Sequence, residues 1–228
     1  MTRTFFTLLG FAGTVVVVSS GALRHSSATV TRASDLAVNG MRQPDPQIMR
    51  GRQIVITHDC SGCHNGNDPS SPNWLVGTTG PETEFLIGAC AAKPGAKPCF
   101  RTRPRNITPD NATGIGRFTE RQIFNALKWG LRPEDTPDVE ITSGVPGAGN
   151  FPLHPHYLAP PMPWIAWRHM PDSDLYAVAA YLKRAVKPVA HRVAESEGPP
   201  DFWASLYTVE NVGAAVSPAF PAANERVP

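Results

Sequence analysis

Apolar positions along the chain fall into three patterns. The first is a continuous run: Phe5 to Val18 carries no charge and includes Val15-Val16-Val17-Val18. Arg3 precedes it, and the small residues Ser20-Gly21-Ala22 and Ser26-Ser27-Ala28 follow, which is the order of an export signal. Charge-free sequence continues from Thr4 to Leu23, about 20 residues, just enough to span a bilayer. Residues 1–28 therefore read as a signal peptide or an N-terminal anchor, with cleavage favoured on the length of the apolar run. Either way the remainder lies outside the cytoplasm, which in a bacterium makes it periplasmic.

The second pattern has the helical period. Leu175, Val178, Ala179, Leu182 and Val186 recur at i, i+3, i+4, i+7 and i+11, which predicts an amphipathic helix. Asp172 and Asp174 at its start, and Lys183, Arg184 and Lys187 at its end, suit the macrodipole. Pro188 stops it, although Pro171 stands where a capping hydroxyl is usual. Upstream, Thr119 and Gln122 form a capping box for a helix whose face is Ile123, Phe124 and Leu127. Gly130 ends that helix. A third helix is predicted from Pro46 to Asp59, with Ile48, Gly51 and Val55 near one face. Gly51 in its interior costs about 1 kcal/mol against Ala, so a close contact there is the expected compensation.

The third pattern is the absence of any period. Residues 29–45 are a polar linker. From Asn65 to Arg105 the chain is loop-like, with Asp68-Pro69 and Gly80-Pro81 as turn signals. Leu131 to Met170 holds eight prolines, and irregular stretches of that length are commonly functional. Residues 191–228 are a Pro/Ala-rich tail with a short docked turn over Asp201–Tyr207. The fold expected is mostly α: a few helices, long irregular loops, and one domain over residues 46–190.

Composition narrows the function. A 41% hydrophobic fraction supports a core, while 24 prolines and 19 glycines account for the irregular segments. A net charge of +2 without a Lys/Arg run gives no footprint for nucleic acid. No nucleotide loop, nucleophile elbow or HExxH is present. The sequons Asn106-Ile-Thr and Asn111-Ala-Thr read as turn chemistry.

The candidate chemistry sits in Cys60-Ser61-Gly62-Cys63-His64, the c-type haem attachment pattern. Thiols three residues apart can add across the two vinyl groups of one porphyrin edge. His64 is then held beneath the ring as an axial ligand. The pattern occurs once, so one covalent haem is expected. A zinc site built from Cys60, Cys63, Cys90 and Cys99 is the competing reading. It is weaker, because the second pair is not a CxxC knuckle. In an oxidising compartment Cys90 and Cys99 are expected to form a disulfide.

A low-spin electron carrier needs a sixth iron ligand, and methionine opposite histidine raises the potential. Met162 lies in Pro160-Pro161-Met162-Pro163-Trp164, where three prolines stiffen the chain. Met170, at a helix start, is the second choice, and His154 and His156 would give a bis-histidine site. Trp74 either packs on the porphyrin or covers core. His58 reads as a helix-end residue. An open sixth position would instead make the chain a haem enzyme or ligand sensor.

Four stretches resemble the cytochrome c subunits of bacterial periplasmic alcohol, aldehyde and gluconate dehydrogenases. They are Cys60–His64, Asn106-Ile-Thr-Pro-Asp110 with Thr113-Gly-Ile-Gly116, Leu158-Ala-Pro-Pro-Met162-Pro-Trp164, and Met170 to Leu175 leading into Ala180-Tyr-Leu182. The resemblance implies a class I cytochrome c fold, haem c on Cys60 and Cys63, and His64 and Met162 as iron ligands. It also implies a contact between Gly51 and Tyr181, electron transfer without catalysis, a dehydrogenase donor and a cytochrome or oxidase acceptor. Membrane association would come only through the N-terminal segment. The single CxxCH and the Cys90–Cys99 insert depart from the pattern.

Overall fold

The structure, a computed structural model, describes residues 44–199, 201–215 and 219–227. The proposed signal or anchor and nearly all of the linker lie outside the described residues. No helix among the described residues is long and apolar enough to cross a membrane.

Helix α1 (Pro46–Thr57) opens on Asp45, whose carboxylate accepts from the Gln47 N–H at 2.9 Å. It stops two residues short of the expected end. The reason is Asp59, which takes a left-handed conformation at φ 50° and caps the next helix by accepting from the Gly62 N–H at 3.1 Å. That next element is α2 (Cys60–His64), a turn and a half carrying the whole attachment pattern.

Beyond it the sequence read as loop, and a small hairpin is found inside. Strands β1 (Phe85–Gly88) and β2 (Cys99–Thr102) pair antiparallel, with Phe85 opposite Thr102 and Gly88 opposite Cys99. A short helix, α3 (Ala89–Ala92), joins them, and Cys90 is disulfide-bonded to Cys99 with Cα atoms 5.3 Å apart. Four-residue strands are too short to show alternation in sequence.

Helix α4 (Glu120–Trp129) forms with both halves of its capping box, and Gly130 follows at φ 69°. After the long Pro-rich segment comes α5 (Trp164–Trp167), then α6 (Asp172–Arg184). Helices α1 and α6 cross closely. A Cβ built on Gly51 would lie 1.9 Å from the Ala177 carbonyl oxygen and 2.8 Å from Tyr181 Cβ, so only glycine fits. Arg50 clamps the crossing by a forked pair of bonds to Asp174 at 2.9 and 2.6 Å. Helix α4 joins them through a stacked Phe124–Tyr176 pair with centroids 4.1 Å apart, and through Arg184 on Glu120.

The core has two parts. The first gathers Ile54, Val55, Trp74, Leu75, Leu127, Leu175 and Leu182 between the three long helices. Trp74 belongs to it, its indole N–H donating to Tyr181 Oη at 3.2 Å. The second is aromatic: Phe100, Phe151, Tyr157, Trp164, Trp203 and Tyr207. Trp203 and Tyr207 belong to the segment read as a tail, which is thus packed as far as α7 (Val209–Val212). Earlier in that segment Glu197 exchanges backbone bonds with Arg101 of β2. Pro and Ala dominate its composition, but its bulky aromatic side chains decide where it goes.

Candidate haem centre

On α2 the two thiols lie one helical turn apart. Both are free, and both are partly exposed. Burial, and then the charge of Asp59, push the Cys60 thiol up to about 12, and the same two causes raise Cys63. In this fold they are weak nucleophiles.

His64 is oriented by a backbone atom. Its Nδ1 lies 2.7 Å from the Arg105 carbonyl oxygen. A carbonyl can only accept, so Nδ1 carries the hydrogen and Nε2 keeps its lone pair for a metal. Burial lowers the imidazole's pKa, with the Arg105 hydrogen bond acting in the opposite sense, so the neutral form is favoured. An orienting bond of this kind is what an iron-ligating histidine requires.

Arg105 itself is held by a polar knot centred on Asn106. The Asn106 side chain, 2% exposed, donates to the Val189 carbonyl at 2.8 Å and to Thr113 Oγ1 at 3.1 Å, and accepts from the Thr108 N–H at 2.9 Å. Thr108 Oγ1 accepts from the Val189 N–H at 3.1 Å. The chain leaving α6 is thereby stitched to the loop beneath His64. Buried and fully engaged, Asn106 is not available as a sequon, in line with the turn chemistry expected. The loop 65–78 closes the other side, with Gly77 N–H on the His64 carbonyl at 2.8 Å and Ile107 N–H on Leu75 at 3.0 Å.

Of the candidate sixth ligands, Met162 and Met170 both pack, partly exposed, against the same first core as Cys60. Met162 sits in a tight turn, its N–H on the Ala159 carbonyl at 2.9 Å and its own carbonyl accepting from Trp164 N–H at 2.9 Å. Met170 lines a small cavity with Cys60, His58 and Trp167. The histidines are placed differently: His154 is exposed, and His156 Nδ1 is 2.9 Å from Asp135 Oδ2 at the surface. A four-cysteine zinc site is excluded by the Cys90–Cys99 disulfide. Among the described residues no group of three or more His, Cys, Asp or Glu side chains could hold a metal ion.

The donor set fits haem c: two unpaired thiols on one helix, an imidazole with its coordinating nitrogen free, and thioethers on the same apolar core. The Arg105 carbonyl and Asn106 were not legible as parts of the site. The first is a backbone atom, and the second was visible only as part of a motif shared with a family.

These features suit covalent haem attachment, and the proteins the chain is similar to are cytochrome subunits. The chain is similar to the fructose dehydrogenase cytochrome subunit of Gluconobacter japonicus, at 30% identity over 63% of this chain and 22% of that protein. It is similar to the cytochrome c subunit of the quinone-type alcohol dehydrogenase of Gluconacetobacter polyoxogenes, at 25% identity over 63% of this chain and 23% of the other. The gluconate 2-dehydrogenase cytochrome c subunit of Pantoea cypripedii matches at 27% identity over 68% of this chain and 27% of its own length. The chain spans about a quarter of the length of these relatives. No protein-family model matches it. The resemblance to dehydrogenase cytochrome c subunits is thus shown.

Proposed function

We propose that this chain is a periplasmic, non-catalytic electron carrier with one haem c bound through Cys60 and Cys63 and ligated by His64 and Met162. It would take single electrons from a dehydrogenase and pass them to a downstream respiratory acceptor, a cytochrome or an oxidase. Residues 1–28 would direct export and be cleaved, or would anchor the domain. The observation that carries the reading is His64: its Nδ1–H is fixed on the Arg105 carbonyl one residue beyond a CxxC pair. When bound, haem supplies a one-electron Fe(II)/Fe(III) couple. The chain supplies the rest: thioether bonds, an oriented imidazole, an apolar wall and a thioether ligand in a proline-stiffened turn.

The ligand assignment is tested by the near-infrared methionine-to-iron(III) charge-transfer band. Met162→Ala should abolish the band and let cyanide bind quickly, whereas Met170→Ala should leave it. Loss of the band in Met170→Ala and its survival in Met162→Ala would reassign the ligand. A wild-type ferric protein that lacks the band and binds peroxide readily would make the chain a haem enzyme or sensor.

A further inference from the structure

The second, aromatic core borders a half-open cavity of about 250 Å³ that the haem reading does not use. Its walls come from the end of α4, the 142–151 loop, α5 and the 207–215 segment. Neither α2, the Asn106 knot nor Met162 contributes to it.

Arg168 decides its character. The residue is only 4% exposed, and it lines this cavity. One Nη–H donates to the Gly213 carbonyl at 2.6 Å, and the guanidinium lies 5.8 Å from the Trp164 ring centroid. Among the described residues no carboxylate pairs with it, and its Nε–H is buried without an acceptor. Guanidinium stays charged, so an unpaired buried one is an unusual expense for a fold. The indole N–H groups of Trp129 and Trp164, on the same walls, are likewise buried without an acceptor. All three orphans are donors, and Phe151, Tyr157 and Tyr207 supply flat apolar sides.

We propose that this cavity binds a small organic carboxylate with a planar or apolar body, its oxygens accepting from Arg168 and Trp129 and its body lying among the aromatic rings. An acceptor-only, negatively charged group is the complement of orphan donors and an unpaired cation. The Gly213 carbonyl ties the 207–215 segment to the same guanidinium, so the bound anion would also hold that segment in place.

Benzoate is a suitable probe for the intact, haem-loaded protein. Calorimetric titration should show saturable binding, with benzamide, its neutral counterpart, at least tenfold weaker. The Soret band should not move, since the cavity is separate from the iron. Arg168→Met should weaken binding at least tenfold. Trp129→Phe, which keeps a ring and loses the N–H, should weaken it severalfold, and it decides alone if Arg168→Met does not fold. Absence of saturable benzoate binding, equal binding of benzamide, a Soret shift that follows saturation, or unchanged affinity in Trp129→Phe would each overturn the proposal.

Discussion

At the scale of single residues, the site depends on a bond that joins positions far apart in the chain. His64 follows Cys63 directly, but the carbonyl that fixes its tautomer belongs to Arg105. Asn106, next along, holds that loop by buried bonds to Val189, Thr113 and Thr108. Asn106→Ala would leave the Thr108 N–H and the Val189 carbonyl short of partners in a dry environment. The expected cost is about 1–3 kcal/mol, read as a lower denaturation midpoint of the oxidised protein. An unchanged midpoint would show that the knot does not hold the loop. The attachment pattern could be read from five letters because covalent chemistry needs those residue types at that spacing. The orienting carbonyl could not, because every residue has one.

Among elements, the tightest restraint is the crossing of α1 and α6. Gly51 has the Ala177 carbonyl and Tyr181 against it, with no room for a methyl group. Gly51→Ala gains helix propensity but must push the helices apart, and overpacking of this kind typically costs about 1–3 kcal/mol. Chemical denaturation should therefore show a destabilised protein. A neutral or stabilised variant would mean that the crossing has slack. Helix α6 was legible because apolar period, acidic start and basic end agree. Helix α1 was legible except at its end, where Asp59 adopts a left-handed conformation that sequence does not announce. The β1–β2 hairpin was missed, although the disulfide that closes it was expected from compartment alone. Its strands are four residues each, and their partner in the 191–199 segment is remote in sequence.

For the whole molecule, acid should be the weak side. Asp174 is held below the ordinary carboxylate range by hydrogen bonds from Arg50, Glu84 by Arg103 and then Arg101, and Asp110 by Thr113. A carboxylate whose folded pKa is depressed contributes stability above its unfolded value, about 4, and loses it as pH falls through the folded value. The denaturation midpoint should decline gently below about pH 6.5, where an unfolded His64 takes up a proton that the buried imidazole resists, and more steeply below about pH 4. Asp174→Asn should lower the neutral-pH midpoint and make the acid decline shallower. An identical acid slope in that variant would remove Asp174 from the account. The general placement of the helices and a docked turn over Asp201–Tyr207 followed from the sequence, whereas the surface that turn packs against did not. Phe202, Trp203 and Tyr207 form a short aromatic cluster in a Pro/Ala-rich background, and only the folded molecule shows that Phe100 meets Trp203 while Tyr157 and Trp164 meet Tyr207.

The central claim is that one haem is covalently attached at Cys60 and Cys63. It is tested most directly by mass spectrometry of the proteolytic peptide spanning Cys60–His64, taken from protein exported by a host competent in c-type cytochrome assembly. The expected peptide is heavier by one haem, with the group surviving acid–acetone extraction and both thiols closed to alkylation. A peptide of unmodified mass with two alkylatable thiols would contradict it.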